Sequence, residues 1–236
     1  MSGKDAGNRV IGTIANALAI LICGFVGLWI GRGIPDKMNQ TILSALGILL
    51  IAIGGQYTFK AENLALIGLA LAVGAAIGEW GEWDAKLERM GLWLQRRFAS
   101  GSGGFVKGFV YATLVFCVGA MGILGSLEEG LTGNAQILFL KSVLDGIFAL
   151  VFSASLGLGV LFSALPVFLY QGLLTLFADF LKPLMTEGLM NNITALGGVL
   201  IAGIGFNLLK LTEIRIANLL PGILLVPFFM WVISFF

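Results

Sequence analysis

Apolar runs of about 18 residues or more recur along the whole of this chain, and no other feature limits its fold as tightly. Each run is long enough to cross a hydrocarbon core about 30 Å thick. Inside such a core the backbone must satisfy its own hydrogen bonds, which leaves helices or a closed barrel. A barrel would alternate in polarity over segments of about 10 residues. These runs do not alternate, so the sequence predicts helices. Composition agrees: 58% of the 236 residues are hydrophobic and 11% are charged, against about 25% charged in soluble domains. So few charges cannot cover a soluble surface of this size, and the surplus apolar surface must face lipid.

Eight spans are predicted, at roughly 10–31, 39–56, 62–79, 104–127, 136–156, 159–181, 189–209 and 214–236. The fifth and sixth are divided only by Gly157-Leu158-Gly159. A tight glycine turn between two helices is the preferred reading. A broken or re-entrant segment, giving seven spans, is the alternative. The polar start MSGKDAGNR is short, and the run after it is too long and too Gly-rich for a cleaved signal peptide, so it reads as a retained first span.

Basic residues set the expected orientation. With the loop 80–107 in the cytoplasm, Lys86, Arg89, Arg96, Arg97 and Lys107 lie inside, together with Arg32, Lys37, Lys210 and Arg215. Lys4, Arg9, Lys60 and Lys182 then lie outside, as do both termini, and the loop Glu128–Ala135 faces outward. Within the basic loop, Trp80, Trp83, Leu87, Met90, Leu94 and Phe98 recur at three- and four-residue steps among charged residues. That is the pattern of an amphipathic helix in the membrane interface, or of one packed on a soluble face or a partner. The SGSGG of 100–104 follows it as a joint.

An internal repeat is expected. SALGILLIAIG (44–54) aligns with TALGGVLIAGI (194–204), matching Ala45, Leu46, Gly47, Leu50, Ile51 and Ala52 to Ala195, Leu196, Gly197, Leu200, Ile201 and Ala202. MNQT (38–41) resembles MNNIT (190–194), and AENLALIG (61–68) resembles RIANLLPG (215–222). Corresponding helices are five spans apart, an odd number, so the units would be inverted. The predicted organisation is a single membrane domain. A first unit over 10–79 is followed by the interfacial helix and linker over 80–103. A two-span insert over 104–158 then precedes a second unit over 159–236.

The stretch 121–159 holds the candidate chemistry. Lys141 and Asp145 are four residues apart and share one helix face. Charges in hydrocarbon are costly and normally face a protein interior or a water-filled path. Two readings stand: Asp145 binds a cation or proton with Lys141 as competing charge, or the two neutralise each other as a structural pair. Glu128 and Glu129, placed at the end of the fourth span, would attract cations at an outer mouth or are solvated loop acids. Gly122 and Gly125, in step with Gly119, give a smooth face, either for close packing or for backbone exposed to a solute. Asn16, Ser155, Gln171, Asn207 and Asn218 sit inside spans, with Asn16 and Gln171 deepest, while Asn191 and Asn192 are placed as caps of the seventh span. Pro166 and Pro221 are placed inside the sixth and eighth spans, where each would loosen its helix.

The chain has no histidine and a net charge of +1. No zinc or haem site, no cofactor and no nucleic-acid partner is therefore expected. Cys23 and Cys117 lie in apolar runs without CxxC spacing and read as small buried residues. No P-loop, GxSxG or HExxH occurs, so no enzyme is expected.

FCVGAMGILGSLEEGLTGN (116–134) and KSVLDGIFALVFSASLGLGV (141–160), with YQG at 170–172 and NLLPG at 218–222, resemble the YdfK/YqgA family over nearly the whole chain. The resemblance implies a multi-span protein of the bacterial inner membrane and implies no known activity. The expectation is thus an all-α polytopic protein, with homodimerisation compatible with its size. It would be a transporter or channel for a small ion or solute; the alternative is a scaffold or sensor acting through residues 80–98.

Overall fold

The computed structural model describes residues 10–99 and 104–233; the expected N-terminal placement of Lys4 and Arg9, and most of the joint at 100–104, lie outside the described residues. The described chain is helical, with no strand. In order, the helices are α1 (Ile11–Gly31), α2 (Asp36–Thr58), α3 (Leu64–Trp80), α4 (Trp83–Phe98), α5 (Phe105–Cys117), α6 (Ala120–Thr132), α7 (Gln136–Leu156), α8 (Gly159–Phe162), α9 (Ala164–Leu176), α10 (Ala178–Leu181), α11 (Glu187–Leu208) and α12 (Pro221–Ile233), with 3-10 turns at Lys182–Leu184 and Ile216–Leu219. Among the described residues, six spans are long and apolar enough to cross a membrane, or up to eight if each of two bent helix pairs is one span.

Two expectations change. The fourth span breaks, as its run of Gly119, Gly122 and Gly125 allows: α5 and α6 meet at 58°, across Gly119, whose φ of +138° suits glycine. After that break α6 runs on to Thr132, so Glu128 and Glu129 lie within a helix rather than in a loop. Pro221 does not interrupt the last helix. It is the first residue of α12, where a missing N–H costs nothing, while Pro166 is the third residue of α9. The predicted glycine turn is present: α7 ends at Leu156, and Gly157 follows at φ +82°.

On α1 and α7 much of the large apolar surface faces outward, over an interior stripe rich in small and polar residues. On α1 the buried stripe is Gly12, Thr13, Asn16, Ile20, Gly24 and Gly27, while Phe25 and Trp29 are 68% and 72% exposed. On α7, Lys141, Ser142, Asp145 and Gly146 are buried, and Leu140, Val143 and Ile147 are exposed. Small residues inside let backbones approach, and the apolar bulk outside suits lipid.

The chain forms two compact units, one of residues 1–36, 91–117 and 121–183, the other of 37–90, 118–120 and 184–236. In the first, α1 and α7 run parallel in close contact. A β-carbon at Gly27 would lie 2.1 Å from the Leu150 carbonyl oxygen, and one at Gly31 would lie 2.4 Å from that of Ala154. In the second unit, α2 and α11 cross through glycines: a β-carbon at Gly54 would meet the Gly198 carbonyl oxygen at 2.5 Å, and one at Gly198 would meet that of Gly54 at 2.5 Å. Gly47 and Gly205 face each other in the same way. These packing units cut the chain differently from the sequence repeat.

Candidate functional site

The polar centre lies inside the first unit. α7 carries Lys141 and Asp145 one turn apart, each 6% exposed. The Lys141 ammonium is bonded to Asp145 Oδ2 and donates a second hydrogen bond of 2.9 Å to the carbonyl oxygen of Phe116. Phe116 is in the last turn of α5. Its carbonyl is among those a helix end leaves without an intrahelical partner, at the negative end of the helix dipole. The ammonium therefore sits where a carboxylate and a helix C-terminus converge.

Two fully buried amides complete the cluster. Asn16 of α1 donates from Nδ2 to Asp145 Oδ2 at 2.9 Å and to Gln171 Oε1 of α9 at 3.2 Å. Both acceptors face the same nitrogen, which fixes the Asn16 amide as drawn. Gln171 must then present its oxygen to Asn16, because its nitrogen would set donor against donor. What remains is one acceptor, Asn16 Oδ1, and one donor, Gln171 Nε2, each buried without a hydrogen-bond partner. Such atoms are rare in protein interiors because each costs about 1–3 kcal/mol.

α6 supplies the wall. A β-carbon at Gly122 would lie 3.3 Å from Lys141 Cε and 3.8 Å from Gln171 Nε2. Gly122 thus borders the lysine stem and the amide together. Gly125, one turn on, is packing: its β-carbon would press Ile137 and Leu138 at 2.9 Å.

The other candidates fall elsewhere. Glu129 is fully buried, neither solvated nor at a mouth. It accepts from the backbone N–H of Gly12 at 2.5 Å, and from the N–H and hydroxyl of Thr13 at 3.4 Å each. These N–H groups belong to the first turn of α1, whose own N-cap residue, Val10, makes no side-chain cap. Glu129 takes over that role, a carboxylate against the positive end of a helix. Glu128 accepts from the Asn134 side chain at 2.6 Å and ties the turn after α6. Ser155 is half-buried, about 15 Å along α7 from Asp145 at 1.5 Å per residue.

Three asparagines also differ from expectation. Thr186, not Asn191 or Asn192, caps α11. Asn192 instead accepts from the N–H of Glu62 and Asn63. Asn218 lies in the 3-10 turn before α12. There it donates to Glu79 at 2.6 Å and accepts from the Asp84 N–H at 2.7 Å.

Sequence reasoning missed the Phe116 carbonyl, which no side-chain pattern announces, although Gly119 marked the break that frees it. It also missed the capping role of Glu129 and the network of Glu79, Asp84, Arg215 and Asn218 in the second unit.

Comparison with known proteins places this architecture in a family. The model described as "Protein of unknown function (DUF554)" matches residues 11–231. The chain is 31% identical over 221 residues to the uncharacterized protein YqgA of Escherichia coli strain K12, covering 92% of this chain and 94% of that one. It is 29% identical over 231 residues to the uncharacterized membrane protein YdfK of Bacillus subtilis strain 168, covering 96% and 98%. No solved structure matches.

Proposed function

The chain belongs to the DUF554 family, and from that premise we propose that it carries a small ion or solute across the bacterial inner membrane, through the polar cluster around Lys141 and Asp145. One observation carries the reading. A buried carboxylate is shared between an ammonium and an amide, and beside it Asn16 Oδ1 and Gln171 Nε2 remain without partners. A purely structural ion pair requires no such unsatisfied donor and acceptor. A site that receives a polar guest does. Intramembrane ionisable groups of this kind mark ion and substrate paths.

In this reading the basic loop 80–107 is cytoplasmic and both termini are outside. α4 lies in the interface, consistent with Trp93 and Phe98 at 63% and 58% exposure. The inverted repeat finds support within the second unit. The glycine contacts of α2 with α11 are centred on Ile51 and Ile201, residues that the repeat matches to each other. The reading is of a carrier rather than an enzyme, and a homodimer is compatible with it.

The test is purified protein in liposomes, with proton and monovalent-cation flux followed by pH- and voltage-sensitive dyes. Wild type should conduct or exchange, and the charge-balanced double variant Asp145→Asn with Lys141→Met should fold and yet lose at least tenfold. Equal flux in both would sink the site. A second reading, the pair as a structural clamp, is favoured by the double engagement of the Lys141 ammonium. Under it, the double variant folds and its flux equals that of wild type.

A further inference from the structure

The first unit buries a second carboxylate, and its surroundings differ from those of Asp145. Asp145 is bonded to the Lys141 ammonium, so a proton or a cation taken up there would strand a buried positive charge. Glu129 is fully buried too, but its donors are neutral: the backbone N–H groups of Gly12 and Thr13 and the Thr13 hydroxyl. Among the described residues no ammonium or guanidinium bonds to it. The ionisable side chains on the helices packed around it are Cys23 of α1, Glu128 of α6, Lys141 and Asp145 of α7, Tyr170 of α9 and Asp179 of α10. Of these, Lys141 and Asp145 bond to each other, Glu128 bonds to Asn134, and Asp179 is exposed. A proton on Glu129 therefore removes a buried net charge and strands none. The Thr13 hydroxyl serves both forms, since it can donate to a carboxylate and accept from a carboxylic acid.

The neighbourhood also holds groups able to pass a proton on. Ser126 lies one turn before Glu129 on the same face of α6, and its hydroxyl is fully buried without a partner. Thr175 of α9 is 3% exposed and likewise has an unpartnered hydroxyl. Its backbone carbonyl borders α6, where a β-carbon at Gly130 would lie 2.2 Å from the oxygen. One turn before Ser126, the same face of α6 reaches Gly122 beside Gln171 Nε2. Hydroxyls donate and accept at once, and leftover buried polar atoms are the groups that internal water satisfies. In the other direction α6 ends at Thr132. Thr132 and Gly133 are exposed, so solvent is one turn from the carboxylate.

We propose that Glu129 is a reversible proton-binding site, supplied from the exposed end of α6 and joined to the Asn16 and Gln171 amides by the hydroxyls of Ser126 and Thr175. A carboxylate oxygen takes a proton from hydronium; one O–H bond forms, one breaks, and a water molecule is left. The site stands on its own geometry, and only its use rests on the transport reading. Protonation removes the charge that holds the first turn of α1, and α1 carries Asn16 one turn further on, so proton binding at Glu129 is coupled to the cluster around Asp145.

The experiment is an infrared pH titration of the full chain in lipid. As pH falls, the C=O band of a buried carboxylic acid should grow in wild type and in the double variant Asp145→Asn with Lys141→Met, and it should be lost in Glu129→Gln. A Glu129→Gln titration that superimposes on wild type would overturn the proposal. Should Glu129→Gln not fold, Thr13→Val decides. It removes a hydroxyl bonded to the carboxylate, so the band should shift in frequency, and an unshifted band overturns the assignment. Liposome flux separates the two readings. A Glu129 band with equal flux in wild type and the double variant would leave the proton site standing and sink the transport reading. Flux lost in the double variant, with no Glu129 band, would do the reverse. With the band assigned and that flux lost, flux in Glu129→Gln should lose its response to pH, and a response like that of wild type overturns the coupling.

Discussion

The two units handle polarity in opposite ways. In the first, the helices close around ionisable and amide side chains: Asn16, Glu129, Lys141, Asp145 and Gln171 are all buried there. In the second, the buried polar side chains among the described residues are Asn192, Thr194 and Asn218. Of these, Asn192 and Asn218 bond to backbone at helix ends, and the Thr194 hydroxyl bonds back into its own helix, to the Met190 carbonyl. Asn218 also donates to Glu79, and Glu79 and its ion-pair partner Arg215 stay 59% and 66% exposed. Close glycine contacts hold both units, but among the described residues only the first also buries ionisable side chains. Burying an ion pair rarely stabilises a fold better than apolar packing does, and that cost is why the proposed site is looked for in the first unit.

The largest expected effect is in the second unit. At Gly198 a β-carbon would come within 2.5 Å of the Gly54 carbonyl oxygen and 2.7 Å of the Thr58 nitrogen. Backbone atoms cannot step aside as a flexible side chain can, so Gly198→Val should force α2 and α11 apart. The expected outcome is loss of folded protein from the membrane fraction, read by detergent gel filtration. Gly172→Ala, where nothing lies within 4 Å, is the matched control and should behave as wild type. If Gly198→Val folds normally, the second unit is not held by this crossing, and the contrast between the units fails.

In the first unit, Asp145→Ala leaves an ammonium buried against a lone carbonyl. Breaking a buried pair by removing one partner costs about 3–5 kcal/mol. Thermal unfolding in detergent should show that loss, and Lys141→Met added to it should recover most of the difference. A double variant no better than the single one would mean that the two charges are not coupled, against the geometry. Next in size is Glu129→Gln. Its amide oxygen can still accept from Gly12, so the expected loss is the charge–dipole contribution at the start of α1, up to about 2 kcal/mol in a buried setting.

Much of this was legible beforehand, for a physical reason. A polar side chain inside a lipid-spanning helix must find another, so Asn16, Lys141, Asp145 and Gln171 could be named as members of a polar interior from three separate runs of sequence. The glycine turn at 157 and most span limits were legible because nothing else in those runs breaks a helix. Glu129 was not. Its role depends on α6 continuing past Gly125, and helix ends in apolar sequence carry weak signals. The Phe116 carbonyl was invisible because a backbone atom becomes a ligand only once the helix is known to stop. Asn218 was misplaced for a similar reason: an asparagine at a span's edge reads the same whether it lies in the helix or holds the turn before it.

The smallest expected effect tests the scaffold's own charges. Arg215 is bonded to Glu79 across α3 and the turn before α12, at a place where both side chains are mostly exposed. Exposed pairs contribute roughly 0–1 kcal/mol because water screens them and ordering two long side chains costs entropy. Asn218 holds the Glu79 carboxylate through its other oxygen, so the carboxylate keeps a partner when the guanidinium is gone. Arg215→Ala should therefore lower the unfolding temperature by no more than a degree or two, and less in 1 M salt, where exposed charges interact over only about 3 Å. A loss as large as that of Asp145→Ala would place essential charge in both units and remove the distinction from which the transport site was assigned.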